Sequence, residues 1–282
     1  MTHLHVGPAC LDRRSLPWRC VVAAFGCALM LSDGVQAQGP VASAPEPPQT
    51  PRAAAPVDLT GYWVANISED WRWRMITPAR GDYASIPLTS QAKAAADAWN
   101  PAADEAAGEQ CRSYGAPGLM RAPTRLRVSW LDDTTLKMES DYGMQTRLFW
   151  FRPRAAAAAR PTWQGESAAH WVMAAGRAQG QGAAPAPGAA PAPIGLRFGS
   201  MKSVTTRLRA GYLRKNGVPY SGNTVLTEHW NVLKRENGDA WLVITIVVDD
   251  PMNLQLPWIT SMHFKKEADG AKWDPTPCSA RW

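Results

Sequence analysis

The sequence predicts a mainly β chain, an antiparallel β-barrel or sandwich of about nine or ten strands with one or two short helices. Three observations carry this. Apolar residues recur with period two: Leu126, Val128 and Trp130 alternate with Arg125, Arg127 and Ser129, and Leu136 and Met138 alternate with Lys137 and Glu139. Such alternation marks strands with one face buried and one wet. Turn-forming pairs such as Asp132-Asp133 and Asn237-Gly238 separate neighbouring runs, as in antiparallel hairpins. Helical periodicity is nearly absent.

The N-terminal 37 residues read as a secretory leader. Arg13, Arg14 and Arg19 precede a charge-free apolar run at 21–31, and Val35-Gln36-Ala37 offers small residues for cleavage after Ala37. The run is shorter than the roughly 20 residues of a membrane anchor. Arg13-Arg14 faintly suggests twin-arginine export, but Pro17 and Trp18 break that pattern and favour the general secretory route. The mature chain is therefore expected in the periplasm or outside the cell. Residues 38–57 hold six prolines among small polar residues and read as a disordered linker. A single β domain is expected over 58–282, with strands near 60–67, 71–76, 124–131, 134–140, 145–152, 168–173, 201–209, 224–234, 240–249 and 257–266. The last of these sets Trp258, Met262 and Phe264 opposite His263 and Lys265. The five-alanine run between Arg154 and Arg160 and the Ala-Pro-Gly stretch near 176–195 read as surface insertions, the second as disordered.

Thr89 is suited to cap a helix over 90–99 that ends at Asn100-Pro101, and a shorter helix is expected at 103–108. One helix between early strands can flank or plug an open end, which favours a barrel over a sandwich.

Three arginines and two aspartates leave with the leader, so the formal charge of +6 becomes +5. Spread over a domain of this size, that is not the dense basic stripe of a nucleic-acid binder, and no nucleic-acid partner is expected. No other apolar run approaches membrane length, so no transmembrane segment is expected after cleavage. Of five cysteines, Cys10, Cys20 and Cys27 lie in the leader. Cys111 and Cys278 remain, an even pair that in an oxidising compartment predicts a disulfide, with two free buried thiols as the alternative.

Thirteen of the fourteen tryptophans lie beyond the leader. Large rings fill cores, and they also line ligand cavities because they offer wide contact with little rotamer freedom to lose. In Trp71-Arg72-Trp73-Arg74-Met75, a strand would place Trp71 and Trp73 on one face and Arg72 and Arg74 on the other. Glu228 shares strand parity with Leu226, Trp230 and Val232, so it is expected to point inward. An inward carboxylate must meet a cation or donors. Arg207 and Arg209, on the preceding strand, are the expected partners. The candidate ligand-binding set is thus Glu228, Arg207, Arg209, Trp230, Trp71 and Trp73. His170, His229 and His263 form no metal-spaced pair, no G-x-S-x-G elbow occurs, and no metal or cofactor is expected.

Several strings carry a family resemblance. They include the run from Gly61 to Met75 (GYWVANISEDWRWRM), GDYASIPL from Gly81, DEAAGEQC ending at Cys111, GYLRKNGVPYS from Gly211, VLTEHW from Val225 and WDPTPC ending at Cys278. Together they resemble a group of uncharacterised exported bacterial proteins, over most of residues 58–278. The resemblance implies a lipocalin-like β fold and no assigned activity or cofactor.

The function expected from the sequence is an exported binding or accessory protein that holds a small, largely apolar molecule in a Trp-lined barrel cavity. The alternatives are a periplasmic enzyme of hydrolase or isomerase type using Glu228 with arginines, and a module that docks on an exported protein through the Arg72/Arg74 face.

Overall fold

A computed structural model of the chain describes residues 49–153, 160–173 and 199–281. The expected leader at 1–37, most of the expected linker, the alanine run and the expected insertion near 176–195 lie outside the described residues. Pro47–Trp282 forms one compact unit.

Nine strands close into a barrel: β1 (Gly61–Asn66), β2 (Arg125–Trp130), β3 (Thr135–Ser140), β4 (Thr146–Trp150), β5 (Glu166–Met173), β6 (Gly199–Thr206), β9 (Val225–Lys234), β10 (Ala240–Asp249) and β11 (Trp258–Glu267). The order around the wall is β1-β11-β10-β9-β6-β5-β4-β3-β2, with β2 returning to β1. A separate two-stranded hairpin, β7 (Gly211–Tyr212) and β8 (Pro219–Tyr220), lies between β6 and β9. Strand parity reads as expected from the sequence. Leu126, Val128, Leu136, Met138, Phe149, Met201, Leu226, Trp230, Met262 and Phe264 all point inward and are buried. So do Leu242, Ile244, Ile246 and Val248 of β10, whose alternate residues are only half-buried.

The barrel is mixed rather than wholly antiparallel, because β4 and β5 pair in parallel. The reason is the connection. The sequence separation between Trp150 and Glu166 meets the dozen or so residues that a parallel pair requires, whereas a tight hairpin joins only antiparallel strands.

Thr89 caps α2 (Ser90–Asp97), its hydroxyl accepting from the Ala92 amide at 3.2 Å. Asn100 caps α3 (Pro101–Ala106) in the same way. The strand expected at 71–76 is instead one helical turn, α1 (Trp71–Arg74). Asp70, at φ 52°, turns the chain off the line of β1. Arg74 is then drawn inside, donating from Nε to the Arg121 carbonyl at 2.9 Å and from Nη1 to Glu69. These tertiary bonds override the alternating pattern, and Trp71 is left exposed. Arg72 and Arg74 therefore share no face: Arg72 reaches Asp82 at the surface, while Arg74 is buried.

The two ends of the barrel are covered differently. At one end Trp130, Phe151 and Trp171 stack together, with Phe151 and Trp171 centroids 4.8 Å apart. Residues 49–57, expected as linker, lie against this end: Trp171 Nε1 donates to the Pro51 carbonyl and the Arg52 amide to that of Asp133. The opposite end carries a cap made from residues 67–124, including a 3-10 turn at Arg112–Tyr114 and α4 (Ala116–Leu119), together with the β7–β8 hairpin. After β11 the chain runs back toward the cap. Trp273 packs edge-on against Tyr62, and Thr276 bridges Tyr142 in the β3–β4 turn. A disulfide joins Cys278 to Cys111, with α-carbons 5.1 Å apart.

Candidate functional site

Glu228 points inward and is fully buried. Its partner is Arg147 of β4, across the barrel, whose Nη1 and Nη2 donate to the two carboxylate oxygens at 2.8 and 2.7 Å. Ser203 adds a third donor at 3.0 Å. Thr205 and Ser167, themselves 2.7 Å apart, also accept from Nη2, while the buried Nε meets no acceptor. The bidentate fork is the geometry that best offsets the desolvation of two charges. Arg147 also lies over the Phe149 ring, which meets Trp230 edge-on at 5.1 Å. Trp230 is buried in this packing. These residues pack against one another inside the barrel.

Arg207 and Arg209 do not reach Glu228. Arg207 has a left-handed backbone, φ 54°, that takes it off the end of β6 to pair with Glu166 at 3.2 Å. Arg209 lies over the Trp163 ring and pairs with Glu109. Proximity in sequence misdirected the pairing, because the neighbouring strand presents Ser203 and Thr205 inward. The signal for Arg147 was its shared parity with Phe149.

A pocket lies instead in the cap, lined by Arg74, Arg121, Arg214 and Lys215 with Trp73, Tyr114 and Tyr142. Its cationic side chains come from separate irregular segments. Arg74 ends α1, Arg121 follows α4, and Arg214 and Lys215 form the tip of the β7–β8 hairpin. That hairpin is closed by the Leu213 amide donating to the Val218 carbonyl at 2.7 Å. Gly217, at φ 83°, completes the turn, and a Cβ there would sit 2.3 Å from that of Trp99. Asn216 ties the tip down by donating to the Ala79 and Asp82 carbonyls.

The charges in this pocket are incompletely answered. Arg121 donates to Asp70 at 3.0 Å and to Thr260 at 2.7 Å, and stacks over Trp258. Arg214 donates to Ser85 at 2.9 Å and lies 5.0 Å from the Trp73 ring centre, but has no ion pair among the described residues. Its Nε and Nη1, and Nη2 of Arg74, are buried and meet no acceptor. Arg74 and Arg214 are 5 % and 4 % exposed. Burial pushes both guanidinium groups down to about 10, against Glu69 for Arg74 and helped by Arg121 for Arg214. Both stay charged at neutral pH. Burial also brings the Lys215 ammonium down to about 7. Its Nζ lies over the Tyr142 ring and donates to the Tyr142 hydroxyl.

Two residues of this pocket are singled out by the sequence: Trp73, whose Nε1 donates to Asp82 at 3.1 Å, and Arg74, expected on an exposed docking face. Arg121, Arg214 and Lys215 sit in segments without periodicity, and the alternation around Arg74 points to a strand, so nothing in their spacing indicates that they converge. Among the described residues, no three or more His, Cys, Asp or Glu side chains are grouped as a metal site. No family model matches the chain, and neither a curated protein nor a solved structure does.

Proposed function

We propose that this chain is an exported binding protein that takes a small oxyanion, a carboxylate, sulfate or phosphate group, into the cationic pocket of the cap. One observation carries it: Arg74 and Arg214 line the pocket, and three of their guanidinium nitrogens are buried without an acceptor. A buried unsatisfied donor costs about 1–3 kcal/mol, more when charged, and a bound oxyanion removes that cost. The cavity is about 30 Å³. Since one water needs roughly 10–15 Å³ on this measure, it suits a compact anionic group against an aromatic wall. The expected binding role is kept, while the ligand moves from the barrel interior to the cap and gains a charge. Catalysis by Glu228 is not favoured, because Arg147 and Ser203 already occupy its oxygens. Docking through Arg72 and Arg74 loses its basis, since Arg74 is buried.

Thermal unfolding in graded sulfate, phosphate or acetate, at constant ionic strength set with chloride, tests the proposal. A ligand at a hundred times its Kd stabilises by about 2.7 kcal/mol. Arg214→Met is expected to lose this response while the ligand-free midpoint holds or rises, because an uncompensated buried charge is gone. An unchanged oxyanion response in the variant sinks the pocket as the site.

The pH dependence has a definite sign. Lys215 titrates lower in the fold than in the unfolded chain, so its contribution to stability is full above the unfolded value near 10.5 and is lost as pH falls toward about 7. A bound oxyanion favours the ammonium and opposes that loss. The other charged or titratable groups facing it are the guanidinium groups of Arg74, Arg121 and Arg214 and the phenols of Tyr114 and Tyr142, both phenols raised by burial. Oxyanion stabilisation is therefore expected to be larger at pH 6 than at pH 8, and Lys215→Met is expected to abolish the difference.

A further inference from the structure

We infer that Lys215 forms an imine with a 2-oxo acid whose carboxylate is held by Arg74 and Arg214. The inference rests on the oxyanion pocket and specifies its ligand.

Arg214 and Lys215 are consecutive residues at one hairpin tip, yet both line the same pocket. Guanidinium forks match carboxylates, and a lysine amine adds to carbonyl carbons. A 2-oxo acid carries these two functions on adjacent carbons, so one ligand in this pocket can offer its carboxylate to the arginines and its carbonyl to Lys215. A plain oxyanion uses Lys215 only as an ammonium charge and leaves the amine lone pair idle. Lys215 is only partly buried, so a ligand can reach it. Burial brings its ammonium down to about 7, which leaves a large share of amine at neutral pH. This is how buried lysines become nucleophiles.

The step balances without an oxidant or reductant. The Nζ lone pair forms a C–N bond to the carbonyl carbon, and the C=O π pair moves to oxygen. That oxygen takes the proton that nitrogen gives up, with the Tyr142 hydroxyl, in contact with Nζ, placed to relay it. A second proton on the same oxygen lets it leave as water. Amine, oxo acid and one proton, the last taken from solvent, thus become a protonated imine and water.

The test uses the disulfide-intact protein with glyoxylate and cyanoborohydride at neutral pH, followed by peptide mapping. Lys215 is expected to carry the reduced adduct at least tenfold above any other lysine. Acetaldehyde, which lacks the carboxylate, is expected to label Lys215 at least tenfold less. Arg214→Met should cut glyoxylate labelling of Lys215 about tenfold and leave acetaldehyde labelling unchanged. Adduct spread evenly over the lysines, or equal labelling of Lys215 by both aldehydes, overturns the inference. The sulfate-induced thermal shift, read on the same protein and on Lys215→Arg, separates the two proposals. A retained shift without trapping at Lys215 rejects the imine and leaves oxyanion binding standing. Loss of both rejects the pocket itself.

Discussion

Glu228→Gln is expected to destabilise the fold by about 3–5 kcal/mol, because it leaves the Arg147 guanidinium buried without its counter-charge. For a domain of this size that lowers the thermal midpoint by roughly 10 °C. The amide fits the same space and can still accept one hydrogen bond, so the loss measures charge rather than shape. The paired replacement Arg147→Met with Glu228→Leu should recover most of the stability, since the two ions are costly to bury and apolar groups of similar size are not. Equilibrium urea unfolding of wild type, both single variants and the pair gives the coupling between them. Additive losses would show that the pair contributes no mutual stabilisation, contrary to its bidentate geometry.

Removing the Cys111–Cys278 bond carries the other large effect. The bond closes a loop of 167 residues, and a native disulfide is worth about 2–5 kcal/mol. Cys278→Ser should lower the urea midpoint accordingly, and reductant should do the same to wild type while leaving the variant unmoved. The effect should extend to ligand binding. Ser279 donates to the Tyr114 hydroxyl at 3.1 Å, and Gly143 and Thr276 hold the tail to the turn that carries Tyr142. Both tyrosines line the cationic pocket. A weaker oxyanion response in Cys278→Ser is therefore expected, and an unaltered urea midpoint would falsify the stabilising role of the bond.

Where structure followed local pattern, the sequence was informative. Period-two alternation marked several of the nine barrel strands and put Glu228, Leu226 and Trp230 inside. Thr89 as a helix cap could be read because capping is settled within one turn. Two kinds of information were missing. Trp71 to Met75 alternates like a strand, but Arg74 is pulled inward by Glu69 and Arg121, and no local preference reports that. The partner of Glu228 depended on which strand lies across a closed barrel, and Arg147 is 81 residues away. The pocket cations were harder still. Arg74, Arg121, Arg214 and Lys215 acquire their common purpose only when the cap folds over the barrel end.

The seam between β1 and β11 sets the order in which this molecule can be completed. These strands pair from Tyr62 with Glu267 to Asn66 with His263, and every other barrel strand lies between them in the chain. Until β11 arrives, β1 presents a row of open amide and carbonyl groups, the kind of edge through which chains join one another. A chain emerging from its N-terminus spends most of its synthesis in that exposed condition. Truncation before β11 would therefore be expected to yield a sticky, self-associating product rather than a smaller barrel.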